Sequence, residues 1–513
     1  MSSTTSPASV PDKPALEGLE ARWGAVWEDQ GTYRFDRTHT RDEIYAIDTP
    51  PPTVSGSLHV GHVFSYTHTD LIARFQRMRG KEVFYPMGWD DNGLPTERRV
   101  QNYYGVQCDP SLPYQSGFEP AFDGNVPTGK KKPPAQPISR RNFIDLCNRL
   151  TAADEIAFEQ LWRGLGLSVD WSMTYATIDE RSQRVAQRAF LRNLTRGEAY
   201  QSEAPVLWDV DYHCAVAQAE LADRDQEGAY HRIPFRLTGD GEPVYIETTR
   251  PELLAACVAL VAHPDDERYR RLFGRTVRTP LYGVEVEVRA HELAEPDKGS
   301  GIAMICTFGD QTDVTWWREL QLATRSIVDT DGRIIRDTPS WIVDAGDAAV
   351  LSYTELAGKT VKSAQKRVVE LLSEAGELDG DPRPITHPVK FYERGDRPLE
   401  IITSRQWYLR NGGRDEDLRD ALLRRGRELG WHPAYMQARF ESWTTGLNGD
   451  WLVSRQRFFG VPFPVWYPVD AHGVVDHDHP ILASEDALPV DPSSTPAPGQ
   501  DEARRGQPGG FVG

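Results

Sequence analysis

Between residues 16 and 30 (LEGLEARWGAVWEDQ) apolar residues recur at helical spacing, and Ile44 to Ile47 follows as a short buried strand. That strand runs into TPPPTVSGS, whose prolines forbid a helix and whose Gly56 permits an unusual turn. The pattern from about Ser57 to Arg79 predicts a helix with an apolar face of Val63, Phe64, Leu71, Ile72, Phe75 and Met78. Arg77 and Arg79 fall in its last turn, where cations suit the helix dipole, and Gly80 stops it. KEVFYPMG then predicts a second strand. Strand, Gly/Pro loop, helix and strand in close succession make a βαβ unit, so the class is α/β, with a parallel sheet and ligands expected at the strands' carboxyl ends.

From about Tyr230 to Val350 the pattern changes to short β-branched runs (PVYIETT, RTVRTPLYGVEVEVRA, GSGIAMICTF) separated by Gly, Pro and Asp turns. An inserted β-rich domain is expected there. A helical stretch, Ser363 to Ala375, follows it, and from Ile385 to Tyr467 the chain returns to apolar segments rich in Trp and Arg. The expected organisation is a leader and helix over 1–40, the first part of a nucleotide-binding domain over 41–198, the insertion over 199–350, and a helical return with the domain's continuation over 351–490. Residues 491–513 lack a core pattern and are expected to form a low-complexity tail.

At 513 residues, the chain is long enough for about three folding units. Lys and Arg number 58 against 76 Asp and Glu, a net charge of −18, so any nucleic-acid partner must be met by local basic patches in an acidic surface. Leu253 to Ala262 is the longest apolar run and is about half of what crosses a bilayer, so no membrane partner is expected. The N-terminus has no basic start followed by an apolar core and reads as a leader of no secretory type. Five cysteines without a CxxC pair suit a reducing, cytoplasmic compartment and argue against a thiolate metal site; no metal ligands are assigned.

GSLHVGH places His59 and His62 three apart on the first helical turn, with Gly61 between them, where backbone N–H groups and the positive dipole end point outward. Two imidazoles there suit the phosphates of a nucleoside triphosphate; capping or surface histidines are the plainer reading, and a zinc protease would need HExxH. GWDDNGLPTE follows the second strand, which puts Asp90 at a strand's carboxyl end beside the histidines. A carboxylate there suits an ammonium group, although such strings are usually turns. Gly124 to Lys131 (GNVPTGKK) nearly spells a phosphate loop, but Lys131 replaces the required Ser/Thr. KTVKS at Lys359 to Ser363 opens an amphipathic helix and reads as structural. Arg181, Arg184, Arg188 and Arg192 form one basic stripe that either tracks RNA phosphates or pairs with nearby acids.

PPPTVSGSLHVGH, GWDDNGLPTE, TTRPE and DWLVSRQRFFGVPFPVW together resemble a class I aminoacyl-tRNA synthetase of the valine, isoleucine and leucine group, over nearly all of residues 16–513. The spelling is similar to its valine-specific members. The resemblance implies a Rossmann-like parallel-sheet catalytic domain, incomplete here, interrupted by a β-rich editing domain. It also implies activation of valine by ATP with Mg²⁺, transfer to tRNA(Val), and a monomer. His59, Gly61 and His62 would bind ATP, Asp90 the substrate ammonium, and Pro51 and Thr53 the small side-chain pocket, with Phe459 as a further wall. Threonine is nearly isosteric with valine and an apolar pocket rejects the added hydroxyl weakly, so hydrolytic editing of threonyl-tRNA(Val) is expected. Thr248 and Arg250 would contact the tRNA end or its ester, and Asp310 and Asp313 would hold the misattached ammonium and orient water. N-capping is the alternative for Thr248 and Asp310. Met304 and Gly309 replace the Lys and His of many bacterial relatives. Family members continue through the second half of the nucleotide fold, a KMSKS loop and an anticodon-binding domain, so an N-terminal portion is expected. The rivals are an isoleucine-type enzyme, an editing-only or RNA-binding fragment, and a nucleotidyltransferase unrelated to tRNA.

Overall fold

The computed structural model describes residues 17–54, 59–124, 133–239, 241–306, 309–393 and 395–513. Gly56, the leader before Glu17 and most of the GNVPTGKK string lie outside the described residues. The chain divides into two compact units, one running to Thr195 and resuming over Arg457–Gly513, the other Arg196–Gln456. Strands pair both parallel and antiparallel, so the architecture is mixed α/β.

The first unit begins with helix α1 (Leu19–Asp29), strand β1 (Ile44–Ala46), helix α2 (Val60–Met78) and strand β2 (Glu82–Phe84). β1 pairs with β2 in parallel, Ile44 opposite Glu82, which is the expected βαβ unit. Strand β3 (Gly88–Trp89), helix α3 (Leu94–Tyr104), strands β4 (Val106–Cys108) and β5 (Gln136–Ile138), helix α4 (Arg140–Gly164), strand β6 (Tyr175–Ala176) and helix α5 (Glu180–Thr195) follow. β3 and β6 pair in parallel, as do β4 and β5. Trp89 stacks on Trp162 of α4 with ring centroids 5.5 Å apart, and Tyr66 and Phe158 close round them. That aromatic cluster fixes α2 and α4 about the end of β3.

The burial of α2 departs from its hydrophobic pattern. Tyr66, Asp70 and Ala73 are its buried residues, whereas Phe64, Leu71, Ile72, Phe75 and Met78 are exposed and Val63 is half-buried. The helix is held through polar chemistry on the opposite stripe. Asp70 accepts from the Ser168 amide at 2.6 Å and from Arg74 Nε at 2.7 Å, and Arg77 donates to Ser168 Oγ at 2.6 Å and Ser168 O at 2.8 Å. An apolar stripe records where a helix could bury area; a charge-assisted hydrogen-bond network has no such periodic signature.

The second unit opens with strands β7 (Ala199–Asp209), β8 (Cys214–Ala215), β9 (Leu221–Leu237), β10 (Pro243–Thr248), β11 (Ala259–Ala262), β12 (Thr276–Arg278), β13 (Glu285–Ala290) and β14 (Ile302–Ile305). Helices α6 (Gln311–Glu319), α7 (Ser340–Val343), α8 (Asp347–Thr354) and α9 (Val361–Glu374) precede strands β15 (Arg383–Tyr392) and β16 (Glu400–Leu409). Helices α10 (Glu416–Gly426) and α11 (Met436–Thr445) and strand β17 (Trp451–Leu452) complete it. A seven-stranded sheet runs β10-β9-β12-β13-β11-β14, with β15 also on β9. On the core face of β9 and β10, Ile233, Phe235, Leu237, Val244 and Ile246 are buried at every second position, the alternation of a sheet covered on one side. α9 buries Ala364, Val368 and Leu372, with Thr360 capping it, so KTVKS is a helix start.

Two boundaries differ from expectation. The second unit continues to Gln456, beyond residue 350, because β15 pairs with β9 along ten residues and β16 with β7 along ten more. Residues 491–513 also fold. Strand β18 (Val465–Pro468) pairs with β19 (Ile481–Leu482) and with β20 (Phe511–Val512), and the Phe511 ring is fully buried beside Trp466. Trp466 Nε1 donates to Thr495 O at 2.8 Å, and Arg505 donates to Pro492 O and Thr495 O. Two aromatic anchors and side-chain-to-backbone bonds order this stretch, so it needs no repeating pattern.

Candidate functional site

His59 is the N-cap of α2. Its Nδ1 accepts from the Gly61 amide at 3.1 Å, while His62 Nδ1 accepts from the His59 amide at 3.4 Å, a reciprocal capping box made by two imidazoles. The rings stack with centroids 4.0 Å apart. With each Nδ1 engaged as an acceptor, each neutral ring carries its proton on Nε2, a donor left for another partner. Burial, and then the neighbouring His59, lower the His62 pKa and favour that neutral form. Donor groups at a helix N-terminus suit an anion.

The loop after β1 and the loop after β3 meet beside this turn. Thr53 and Asp90 form a parallel bridge, with Val54 N donating to Asp90 O at 2.8 Å and Asp90 N to Pro52 O at 2.9 Å. Thr53 Oγ1 lies 3.3 Å from Asp90 Oδ2, and Thr177 Oγ1 lies 3.4 Å from Asp90 Oδ1. Tyr66 of α2 donates to Pro50 O at 2.6 Å and so holds the proline run against the helix. Pro51 and Thr53 are both half-buried. Burial raises the Asp90 pKa, with the two threonine hydroxyls working the other way. Gly88 is needed here, because a Cβ at that position would lie 2.3 Å from the Tyr175 ring.

Thr177, Asp91 and Glu97 are three further polar residues to which the motifs assign no role. Thr177 also accepts from Asn92 Nδ2 and from the Asp91 amide, each at 3.2 Å. Asp91 is fully buried, and burial together with Glu155 pushes its carboxyl up to about 8. Glu97 of α3 is buried and accepts from the amides of Phe458 and Phe459 at 2.7 and 2.9 Å. Phe459 itself is buried in a cluster with Val100, Tyr104 and Phe143.

In the second unit, β10 ends on Thr248, whose Oγ1 accepts from the Arg250 amide at 3.0 Å. Arg250 donates to Glu252 Oε1 at 2.7 Å and Glu400 Oε2 at 2.8 Å. Burial works against the guanidinium charge, and the two carboxylates more than restore it. Asp310 caps α6, its Oδ1 accepting from the Asp313 amide at 2.9 Å. Asp313 is buried, accepts from the amides of Gly309 at 3.0 Å and Cys306 at 3.3 Å, and is pushed well up by burial and then by Asp310. A Cβ on Gly309 would meet Asp313 Oδ2 at 2.5 Å, so this turn admits only glycine without a shift. Met304 is buried on β14. The four candidate residues therefore split: Thr248 and Asp310 accept from nearby backbone amides, Arg250 sits in a carboxylate clamp, and Asp313 holds the amides of Cys306 and Gly309.

Arg184, Arg188 and Arg192 of α5 pair with Glu180 and Glu485, so that stripe is largely neutralised by its own neighbours. Among the described residues no helix is long and apolar enough to cross a membrane.

The chain belongs to the class I tRNA synthetases (I, L, M and V), whose family model matches residues 22–112 and 125–488. Among curated proteins, it is 66% identical over 507 residues to the valine–tRNA ligase of Thermobifida fusca (strain YX), covering 98% of this chain and 56% of that protein. The valine–tRNA ligases of Leifsonia xyli subsp. xyli (strain CTCB07) and Cutibacterium acnes (strain DSM 16379 / KPA171202) are each 65% identical, over 98% and 100% of this chain and 58% of theirs. The chain thus spans a little over half the length of these relatives. A solved LeuRS–tRNA–LeuAMS ternary complex from Agrobacterium radiobacter K84 matches 92% of this chain and 52% of its own at 16% identity, with a TM-score of 0.39.

Proposed function

We propose that this chain is the valine-activating and editing portion of a valine–tRNA ligase, its first unit a Rossmann-like catalytic domain and its second an editing domain. The observation that carries the reading is the Tyr66–Pro50 bond, which holds α2, with its two-histidine cap, against the proline run that leads into the Thr53–Asp90 bridge. Asp90 takes the valine ammonium, and Pro51 and Thr53 line the side-chain pocket. The valine carboxylate attacks the α-phosphorus of ATP, a phosphorus–oxygen bond forms, and pyrophosphate leaves with the electrons of the broken one. The Nε2–H groups of His59 and His62 donate to phosphate oxygens as charge accumulates, so catalysis is positioning plus electrostatic stabilisation. The resulting adenylate then esterifies the terminal ribose of tRNA(Val).

Mg²⁺ would arrive on the nucleotide's phosphates and offset charge on the leaving pyrophosphate. In the second unit, threonyl-tRNA(Val) is hydrolysed near the Asp310–Asp313 turn, with the remaining acceptor capacity of Asp313 available to the ammonium. The identities of 65–66% to proteins named valine–tRNA ligase support valine over isoleucine. The test is hydrolysis by this chain of threonyl-tRNA(Val) beside valyl-tRNA(Val) and valyl-tRNA(Ile), together with calorimetric titration of valine. Selective loss of the threonyl ester and valine binding are expected. Preferential loss of valyl-tRNA(Ile) would move the assignment to an isoleucine enzyme.

A further inference from the structure

Asp91 is wholly buried, and among the described residues neither of its carboxylate oxygens receives a bond from an N–H or O–H donor. Such a group costs several kcal/mol if it is left charged and unpaired, so proteins rarely keep one that way. The group within hydrogen-bond reach is another carboxyl, Glu155 on α4. Two carboxylates attract only when a proton lies between them. The charged groups facing the pair are acidic as well: Asp90 on the same loop, Asp179 before α5, and Glu159 one turn along α4. Asp179 is engaged in capping, accepting from Ser182 N at 2.6 Å and Ala176 N at 3.1 Å.

We propose that Asp91 and Glu155 share one proton and are positioning residues of the ammonium subsite, fixing the loop that carries Asp90 against α4. This deepens the reading of Asp90 given above and rests on it. The loop is otherwise tied through Thr53, Pro52, Val54 and Thr177, all on strand-end segments. Glu155 sets this loop against α4 beyond the Trp89–Trp162 stack at the end of β3. The shared proton also leaves Asp90 as the ionised carboxylate of the adjacent pair, so that a single negative charge meets a single ammonium. When the proton is lost, two like charges are forced apart inside the protein and the Asp90 loop moves with them.

The burial that raises Asp91 makes the folded state hold a proton the unfolded chain has released. Stability is therefore lost as pH rises from the ordinary carboxylate range to about 8, and the loss levels off above it. Asp91→Asn, whose amide donates to Glu155 without a titrating proton, removes that loss. The experiment is thermal unfolding of the full 513-residue chain against pH, for the native chain, Asp91→Asn and Glu155→Gln, followed by calorimetric titration of valine at about pH 6.5 and about pH 8.5. The native chain is expected to fall progressively below Asp91→Asn in melting temperature up to about pH 8. Its valine affinity is expected to drop about tenfold relative to Asp91→Asn between the two pH values, the variant cancelling the titration of valine itself. Parallel melting curves would overturn the shared proton, and Glu155→Gln supplies the comparison if Asp91→Asn does not fold. Diverging melting curves with parallel valine affinities would overturn the positioning role. Diverging curves with no valine binding by any chain would instead sink the assignment of Asp90, and the positioning role with it.

Discussion

Arg250 donates to Glu400 at 2.8 Å across 150 residues of chain, and the same guanidinium holds Glu252, which is 1% exposed. The bond ties the turn after β10 to the first residue of β16, so the seven-stranded sheet and the sheet formed by β16 and β7 share one buried charge cluster. Glu400→Ala leaves Arg250 half-compensated and is expected to cost about 3 kcal/mol, whereas adding Arg250→Ala is expected to cost much less than the same again. Urea denaturation of the single and double variants measures this. Additive losses would show that the pair is not coupled.

The histidine cap has a pH signature. Because burial lowers the His62 pKa, its neutral form is favoured in the folded state, and the stability it contributes is present above the unfolded value of about 6.5 and lost as pH falls. Protonation also removes the Nδ1 acceptor for the His59 amide. The His62 imidazole should titrate below the ordinary histidine value in an NMR titration, with the first turn of α2 losing amide protection as it does. Titration of His62 above the ordinary histidine value would contradict the cap.

Asp90 and Thr177 make a graded test of the ammonium subsite. Asp90→Ala removes the charge and is expected to weaken valine binding well over tenfold. Thr177→Val removes only a hydroxyl that orients the carboxylate, and a loss of about fivefold is expected, the worth of one hydrogen bond. Calorimetry with valine gives both numbers, and equal losses would mean that Thr177 acts on folding.

Gly309→Ala places a methyl 2.5 Å from Asp313 Oδ2 and should displace that carboxylate. Deacylation of threonyl-tRNA(Val) is expected to fall at least tenfold, close to the effect of Asp313→Ala, while valine binding in the first unit is unaffected. Retained deacylation in both variants would remove Asp313 from the editing site.

The local elements that frame the candidate site are readable in the sequence. HVGH after a strand and a proline run gave the N-terminus of α2, the DDNG string gave the end of β3, and the β-branched runs gave the sheet of the second unit. These are local features, set by turn residues, periodicity and caps within a few positions, and local sequence reports them. Which stripe of α2 is buried was not readable, because Asp70 and Arg77 find Ser168, and Arg74 finds the Gly166 carbonyl, about ninety residues away. Nor were Thr177, Glu155 and Glu400, each an ordinary residue in its own segment. Their importance comes from what the fold sets beside them: Asp90 beside Thr177, Asp91 beside Glu155, Arg250 beside Glu400. Periodicity and turn chemistry depend on near neighbours along the chain and so are written in order; burial, charge pairing and proton sharing depend on neighbours in space, and only the tertiary structure supplies those.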